Sequence, residues 1–154
     1  MNPVHPGSHS RSGVRAFRPL SRYPHMSAAD IPVWEAFLAA FPRRFVTIEY
    51  DVRVGPGRPG LPGMAAWGER MARAISQLRI DAVGRDAERV WLVEVKPYVV
   101  AAALGQLLCY RFHYCAERPG CAVPGLLLVA GGDNEDIGDA LDAFGVQRII
   151  VRLG

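Results

Sequence analysis

Leu78-Arg79-Ile80-Asp81-Ala82-Val83-Gly84 and Val90-Trp91-Leu92-Val93-Glu94-Val95-Lys96, parted by a polar stretch beginning Arg85-Asp86-Ala87-Glu88, decide the fold of this chain. Two short apolar runs around a four-residue polar break read as a β-hairpin. Pro97, which has no N–H to give to a ladder, is expected to stop the second strand. Side chains alternate along a strand, so Leu92, Glu94 and Lys96 share one face and Trp91, Val93 and Val95 the other. If the turn pairs Gly84 with Arg89, Asp81 stands opposite Leu92. Asp81 and Glu94 are then diagonal neighbours on one face, with Cβ atoms about 7–8 Å apart. A slip of one residue would send the acids to opposite faces.

Lys96 is the only lysine; the other seventeen basic residues are arginines. A chain that uses arginine wherever a generic positive charge suffices keeps a lysine where a guanidinium does not serve. A compact ammonium on a flexible stem fits beside a bound water or a phosphate oxygen, whereas a planar fork needs more room and bidentate geometry.

Working outward, Val33, Phe37, Leu38 and Phe41 recur at helical spacing behind the capping chemistry of Ser27 to Asp30, predicting a helix from about Asp30 to Phe41. Val46, Ile48, Tyr50 and Val52 alternate with polar residues and predict a half-exposed strand. The Gly55-to-Gly63 stretch, with three prolines, is a loop that lacks the ending of a phosphate-binding P-loop, and Ala65 to Ala74 is a short helix. Beyond the hairpin come a helix from Val99 to about Glu117, a buried strand from Gly125 to Ala130, a helix from Glu135 to Phe144 and a last strand from Gln147 to Leu153. This is an α/β pattern: a mixed sheet of about five strands flanked by helices.

The 154 residues, half of them hydrophobic, fit one domain with a sizeable core. No apolar run approaches the roughly 18 residues of a membrane span, and the N-terminus lacks the apolar centre of a secretion signal, so no membrane partner and a cytoplasmic location are expected. Cys109, Cys115 and Cys121 are odd in number and follow no C-x-x-C spacing, which points to reduced thiols and to no iron–sulfur or zinc ligand set. The net charge of +3 is uneven. Residues 1–28 hold Arg11, Arg15, Arg18 and Arg22 with no acid, leaving −1 for the rest. With no apolar periodicity there, residues 1–28 are expected to be a disordered basic arm preceding a domain at 29–154, serving either to grip phosphates or as a solubilising or docking tail.

Two carboxylates converging at a strand end, with few soft ligands nearby, suit a hard cation such as Mg²⁺ or Mn²⁺. A metal held there could activate water for attack on a phosphodiester, with Lys96 serving the water or the charge growing on phosphate. The next helix places Gln106 and Tyr110 at i, i+4 on one face.

A carboxylate at Asp81, Glu94-Val95-Lys96 on the partner strand and Gln106-Leu107-Leu108-Cys109-Tyr110 on the following helix together resemble the PD-(D/E)XK nuclease superfamily and the Q-x-x-x-Y motif of its RecB-like branch. The resemblance spans about Asp30 to Ala130 and implies a restriction-endonuclease-like fold with the helix from Ala65 as an insertion. It implies that Asp81 and Glu94, with the Val95 backbone carbonyl, hold the metal and that Lys96 assists the water. Gln106 and Tyr110 would either approach DNA or support the site. Ile80 stands where the family's motif has proline. Some members carry an acid on the first helix, for which Glu35 is the candidate and Glu69 the rival. His113 would touch phosphate or metal, or be a partly exposed helix residue; Arg79 would touch phosphate or pair with a carboxylate.

The expected activity is metal-dependent hydrolysis of DNA in repair, recombination, or phage or mobile-element processing, with DNA as partner and a homo-oligomer or larger nucleoprotein assembly as a candidate state. The rival expectation is a nuclease-like fold without catalysis, acting as a structural part of a phage particle or DNA-packaging machine and hence virion-associated.

Overall fold

In the computed structural model, which describes residues 19–153, the apolar hairpin forms the middle of a five-stranded mixed sheet. The elements follow as α1 (Ile31–Ala40), β1 (Thr47–Val54), α2 (Ala66–Ser76), β2 (Leu78–Arg85), β3 (Val90–Tyr98), α3 (Ala101–Ala116), β4 (Gly125–Gly132), α4 (Glu135–Ala143) and β5 (Val146–Ile150). The strands lie side by side in sequence order; β1, β2 and β3 are antiparallel neighbours, and β4 and β5 continue parallel to β3 through the crossover helices α3 and α4. The chain is therefore an α/β domain with helices on both faces of one sheet.

Each face buries its own core. On one side Val33, Trp34, Phe37 and Leu38 of α1 pack with Ala82, Val93, Val95, Leu127 and Val129. On the other, Ala103, Leu107, Tyr110 and Tyr114 of α3 and Leu141 of α4 meet Ile80, Leu92, Leu126 and Leu128. The middle strands are covered twice, which is why β4 reads as a continuous apolar run rather than an alternating one.

Three details differ from the sequence reading. First, Tyr23 and Met26 are buried in the α1-side core, so the folded unit begins before residue 29. Residues 1–18, with Arg11, Arg15 and Arg18, lie outside the described residues. Second, β3 runs through Pro97 to Tyr98. Lys96 and Tyr98 keep pairing with β4, while the β2–β3 ladder has already ended at Ala82↔Val93. N–H groups of successive residues point to opposite edges and that of Val95 faces β2, so the missing N–H of Pro97, two residues on, falls on the side with no ladder left to complete. Third, the hairpin pairs Gly84 with Trp91 rather than with Arg89, a shift of two residues. An even shift does not by itself move a side chain to the other face.

That register is set by the turn. Asp86 Oδ1 accepts from the N–H groups of Glu88 (2.9 Å) and Arg89 (2.8 Å), and Asp86 Oδ2 accepts from Trp91 Nε1 (2.7 Å) and Arg44 Nη1 (3.1 Å). One carboxylate thus fixes the loop and joins it to the chain before β1. Burial opposes its ionisation, but these donors win and hold the Asp86 carboxyl down to about 2.

Candidate active site

β1 and β2 change faces midway. Ile48 and Tyr50 lie against the α1-side core, whereas Val52 and Val54, on the same expected stripe, lie in the α3-side core. On β2, Ile80 belongs to the α3 side and Ala82 to the α1 side, although they too are two residues apart. Asp51 and Asp81 occupy the two crossover points. Val52↔Ile80 and Tyr50↔Ala82 pair on either side of them. Asp51 adopts φ 56, a left-handed conformation that aspartate visits more readily than most residues. The expected single-faced stripe Ile48-Tyr50-Val52 is thereby broken.

The switch opens a polar gap in the middle of an apolar sheet. Extending the β2–β3 register one pair past Ala82↔Val93 sets Asp81 opposite Glu94, nearer than the diagonal expected. There the side chain of Asp81 substitutes for a ladder bond, its Oδ2 accepting from the Val95 N–H at 2.9 Å. The N–H and C=O of an extended residue point the same way, so the Val95 carbonyl also faces the Asp81 edge. Glu94 is 1% exposed. Its Oε1 meets Lys96 Nζ at 2.5 Å and its Oε2 accepts from the Tyr110 hydroxyl at 3.0 Å. Gln106 Nε2 donates to the same hydroxyl at 3.3 Å. Asp81, Glu94, Lys96, Gln106 and Tyr110, five residues from three elements, form one connected cluster.

Its electrostatics are those of crowded negative charge. Burial, opposed by the Val95 N–H and by Lys96, pushes the Asp81 carboxyl above the usual carboxylate range. Burial and then repulsion from Asp81 push Glu94 up as well. The ion pair with Lys96 acts the other way on Glu94 and is outweighed. Lys96 itself is raised: burial works against its charge, but contact with Glu94 and the fields of Asp81 and Asp30 dominate. Tyr110 is raised by burial and by Glu94, so its hydroxyl remains a donor.

Neither Glu35 nor Glu69 is hydrogen-bonded or ion-paired to the carboxylate cluster among the described residues. Glu69 on α2 accepts from Gly60 N and pairs with Arg73, and the charge of Glu35 contributes to the raised pKa of Tyr23. Asp30, at the head of α1 and 7% exposed, is a buried acid whose charge, with that of Asp51, raises the Asp81 carboxyl. Reciprocal bonds fix it: Ser27 N to Asp30 Oδ2 at 3.0 Å and Asp30 N to Ser27 Oγ at 3.3 Å. Those capping residues were visible in the sequence, but capping gave them a sufficient role.

Arg79 makes a bidentate pair with Asp51, through Nε to Oδ1 at 2.5 Å and Nη2 to Oδ2 at 2.7 Å. Its carboxylate-pairing role is therefore the one filled here. His113 sits against Gly55 and the Phe112 ring, and no hydrogen bond joins it to the carboxylate cluster. His25 was missed altogether. It takes φ 69, and burial, followed by the charge of Arg79, lowers its pKa, with Asp51 and Glu94 acting the other way.

No group of three or more His, Cys, Asp and Glu side chains among the described residues closes on one point. A metal here would rest on Asp81 and Glu94, with the Val95 carbonyl and water completing its shell. That set fits Mg²⁺ or Mn²⁺, which accept one or two carboxylates and retain several waters. Burial raises both acids and the charge of Asp81 raises Glu94 further, so a divalent cation beside them would favour their ionised forms. No helix among the described residues is long and apolar enough to cross a membrane. Comparisons with family models, curated proteins and solved structures find no match to this chain.

Proposed function

We propose that this chain is a metal-dependent deoxyribonuclease of the PD-(D/E)XK kind, hydrolysing phosphodiester bonds. The observation that carries the reading is the joining of Asp81, Glu94, Lys96 and Tyr110 at one break in the sheet through the Val95 N–H, the Lys96 ion pair and the Tyr110 hydroxyl. The spacing of those residues resembles the family's motifs, and two carboxyl groups held beside one ammonium leave an excess of acidic groups that a divalent cation would balance.

Asp81, Glu94 and the Val95 carbonyl would hold Mg²⁺ or Mn²⁺. The bound ion supplies charge neutralisation for the phosphate and an acidified water. Tyr110, held by Gln106, keeps Glu94 Oε2 in place. Lys96, half-buried on a flexible stem, can exchange its contact with Glu94 Oε1 for one with the attacking water or a phosphate oxygen. The Asp51–Arg79 pair holds the backbone at the break. Repair, recombination and phage or mobile-element processing are the settings for such an activity.

The non-catalytic reading, an assembly module built on the same fold, is favoured by one observation, the exposed apolar side of α2. Incubation of supercoiled, linear and single-stranded DNA with Mg²⁺ or Mn²⁺ separates the two. Wild type should cleave, and Asp81→Ala and Lys96→Ala should each lose about 100-fold or more in rate. Equal inertness of all three folded proteins, with no heat of metal binding to wild type, would decide for the module.

A further inference from the structure

α2 is built inside out. The side that meets the rest of the chain is polar: Arg53 Nη1 donates to Ala74 O (3.1 Å), Arg58 N to Ser76 Oγ (2.6 Å) and Gly60 N to Glu69 Oε2 (2.6 Å). The opposite side carries Met64, Trp67, Met71 and Ile75 into solvent, with Trp67 and Ile75 each 69% exposed and Met71 55%. Gly68 is the only buried residue of the helix. Eleven residues are too few for a helix to be stable without packing an apolar face, and α2 is not seated on the sheet as α1 and α3 are.

We propose that this face is a self-association surface, on which α2 of a second copy docks antiparallel across a two-fold axis at Met71. The sequence of the stripe is self-complementary about that point. An antiparallel two-fold sets Trp67 against the second copy's Ile75 and Met71 against its own counterpart, with Met64 lying over the buried Gly68 of its own helix. Large apolar side chains thereby meet at the centre as well as at both ends of the stripe. Glu69 and Arg73, engaged with each other at 2.9 Å, lie on the far side of the helix, so no charge is buried at the centre. Met64, Trp67, Gly68, Met71, Ala72 and Ile75 line a hollow of about 270 Å³, sized for one large side chain of the other copy.

Area supports the same occupant. Taking large apolar side chains at roughly 200 Å² each, the exposed parts of Met64, Trp67, Met71 and Ile75 amount to about 470 Å² per copy. Two copies then bury about 900 Å², the size of a weak, reversible pair rather than of a permanent one. The proposal is independent of the nuclease reading, since it uses none of the residues in the carboxylate cluster.

Sedimentation equilibrium of the full chain, from about 1 to 100 µM, spans the range expected of so small an interface. The mass should rise from 16.9 kDa toward twice that value. Met71→Glu, a good helix former at an exposed position, should keep the monomer mass and weaken association by about 100-fold or more. With Cys109, Cys115 and Cys121 changed to serine, Met71→Cys should form a disulfide-linked dimer under mild oxidation and Arg73→Cys should not. A monomer throughout the range, a dimer indifferent to Met71→Glu, or cross-linking at residue 73 instead of 71 would overturn the proposal. So would a monomer that binds anionic vesicles or DNA through Trp67.

Discussion

Replacing Asp81 with asparagine should stabilise the protein above neutral pH and abolish its stabilisation by divalent metal. Asp81 and Glu94 are 5% and 1% exposed. Opposed residues of neighbouring strands have Cβ atoms about 4.5–5.5 Å apart. At that range two negative charges repel by about 3 kcal/mol for an effective dielectric constant of 20. Lys96, in contact with Glu94, offsets part of this. Asparagine keeps an oxygen for the Val95 N–H, so charge is the main thing removed, and the expected net gain is about 1–2 kcal/mol.

The sign with pH follows from the raised carboxyl groups. The folded chain holds protons that the unfolded chain has already released near pH 4. Stability therefore falls as pH rises from about 4 through the raised folded values, and Asp81→Asn should flatten that fall. Urea unfolding in a chelator at pH 5, 6.5 and 8 should give the largest difference at pH 8 and little at pH 5. Adding Mg²⁺ at about one hundred times its dissociation constant should raise wild type by about 2.7 kcal/mol and leave the variant unchanged. An Asp81→Asn protein destabilised at pH 8, or a gain equal at all three pH values, would refute the electrostatic account of the site.

Tyr110→Phe removes the donor to Glu94 Oε2 and the partner of Gln106; it should cost about 1–2 kcal/mol in urea unfolding and slow DNA cleavage about tenfold. Asp86→Ala should lose about 2 kcal/mol at pH 7, seen in thermal melts. Because the folded Asp86 carboxyl lies below its unfolded value, that difference should disappear as pH falls from about 4 through about 2. Asp51→Ala removes the pair with Arg79 and puts alanine at φ 56, for a loss of about 2–3 kcal/mol. Asp51→Gly should restore about 1 kcal/mol of it, a difference readable by urea unfolding.

Periodicity revealed the elements because each helix and strand buries a regular stripe, and every expected element is present within a few residues of its expected ends. It misread β1 because Asp51 turns the strand over, and no alternation of apolar residues records a single left-handed φ. The hairpin register was off by two because Asp86 closes the turn with its side chain, a choice that depends on Arg44 and Trp91 as much as on the loop itself. The even shift kept Asp81 beside the Glu94–Val95 segment, which its carboxylate meets through the Val95 N–H, but the change of faces at Asp81 left no mark in the alternation. Lys96 stood out through its rarity, whereas Asp30 and His25 lie far from the cluster in sequence and reach it only through the folding of the chain before α1.

The two strand switches also explain why an acid pair can exist inside this sheet at all. A regular β2 would point Asp81 and Val83 to the same side and keep the ladder with β3 intact, leaving the Val95 N–H paired to backbone. By crossing faces at Asp81, β2 gives up that ladder bond and the carboxylate replaces it at 2.9 Å. β1 must cross at the paired position to keep Val52 opposite Ile80, which places Asp51 at φ 56 and calls for Arg79 to hold it. The Asp51–Arg79 pair is thus the backbone counterpart of the Asp81–Glu94–Lys96 cluster. Loosening it should disturb the carboxylate geometry without touching either carboxylate, so Asp51→Ala is expected to weaken Mg²⁺ binding, whereas Asp86→Ala, at the far end of the same hairpin, should leave it unchanged.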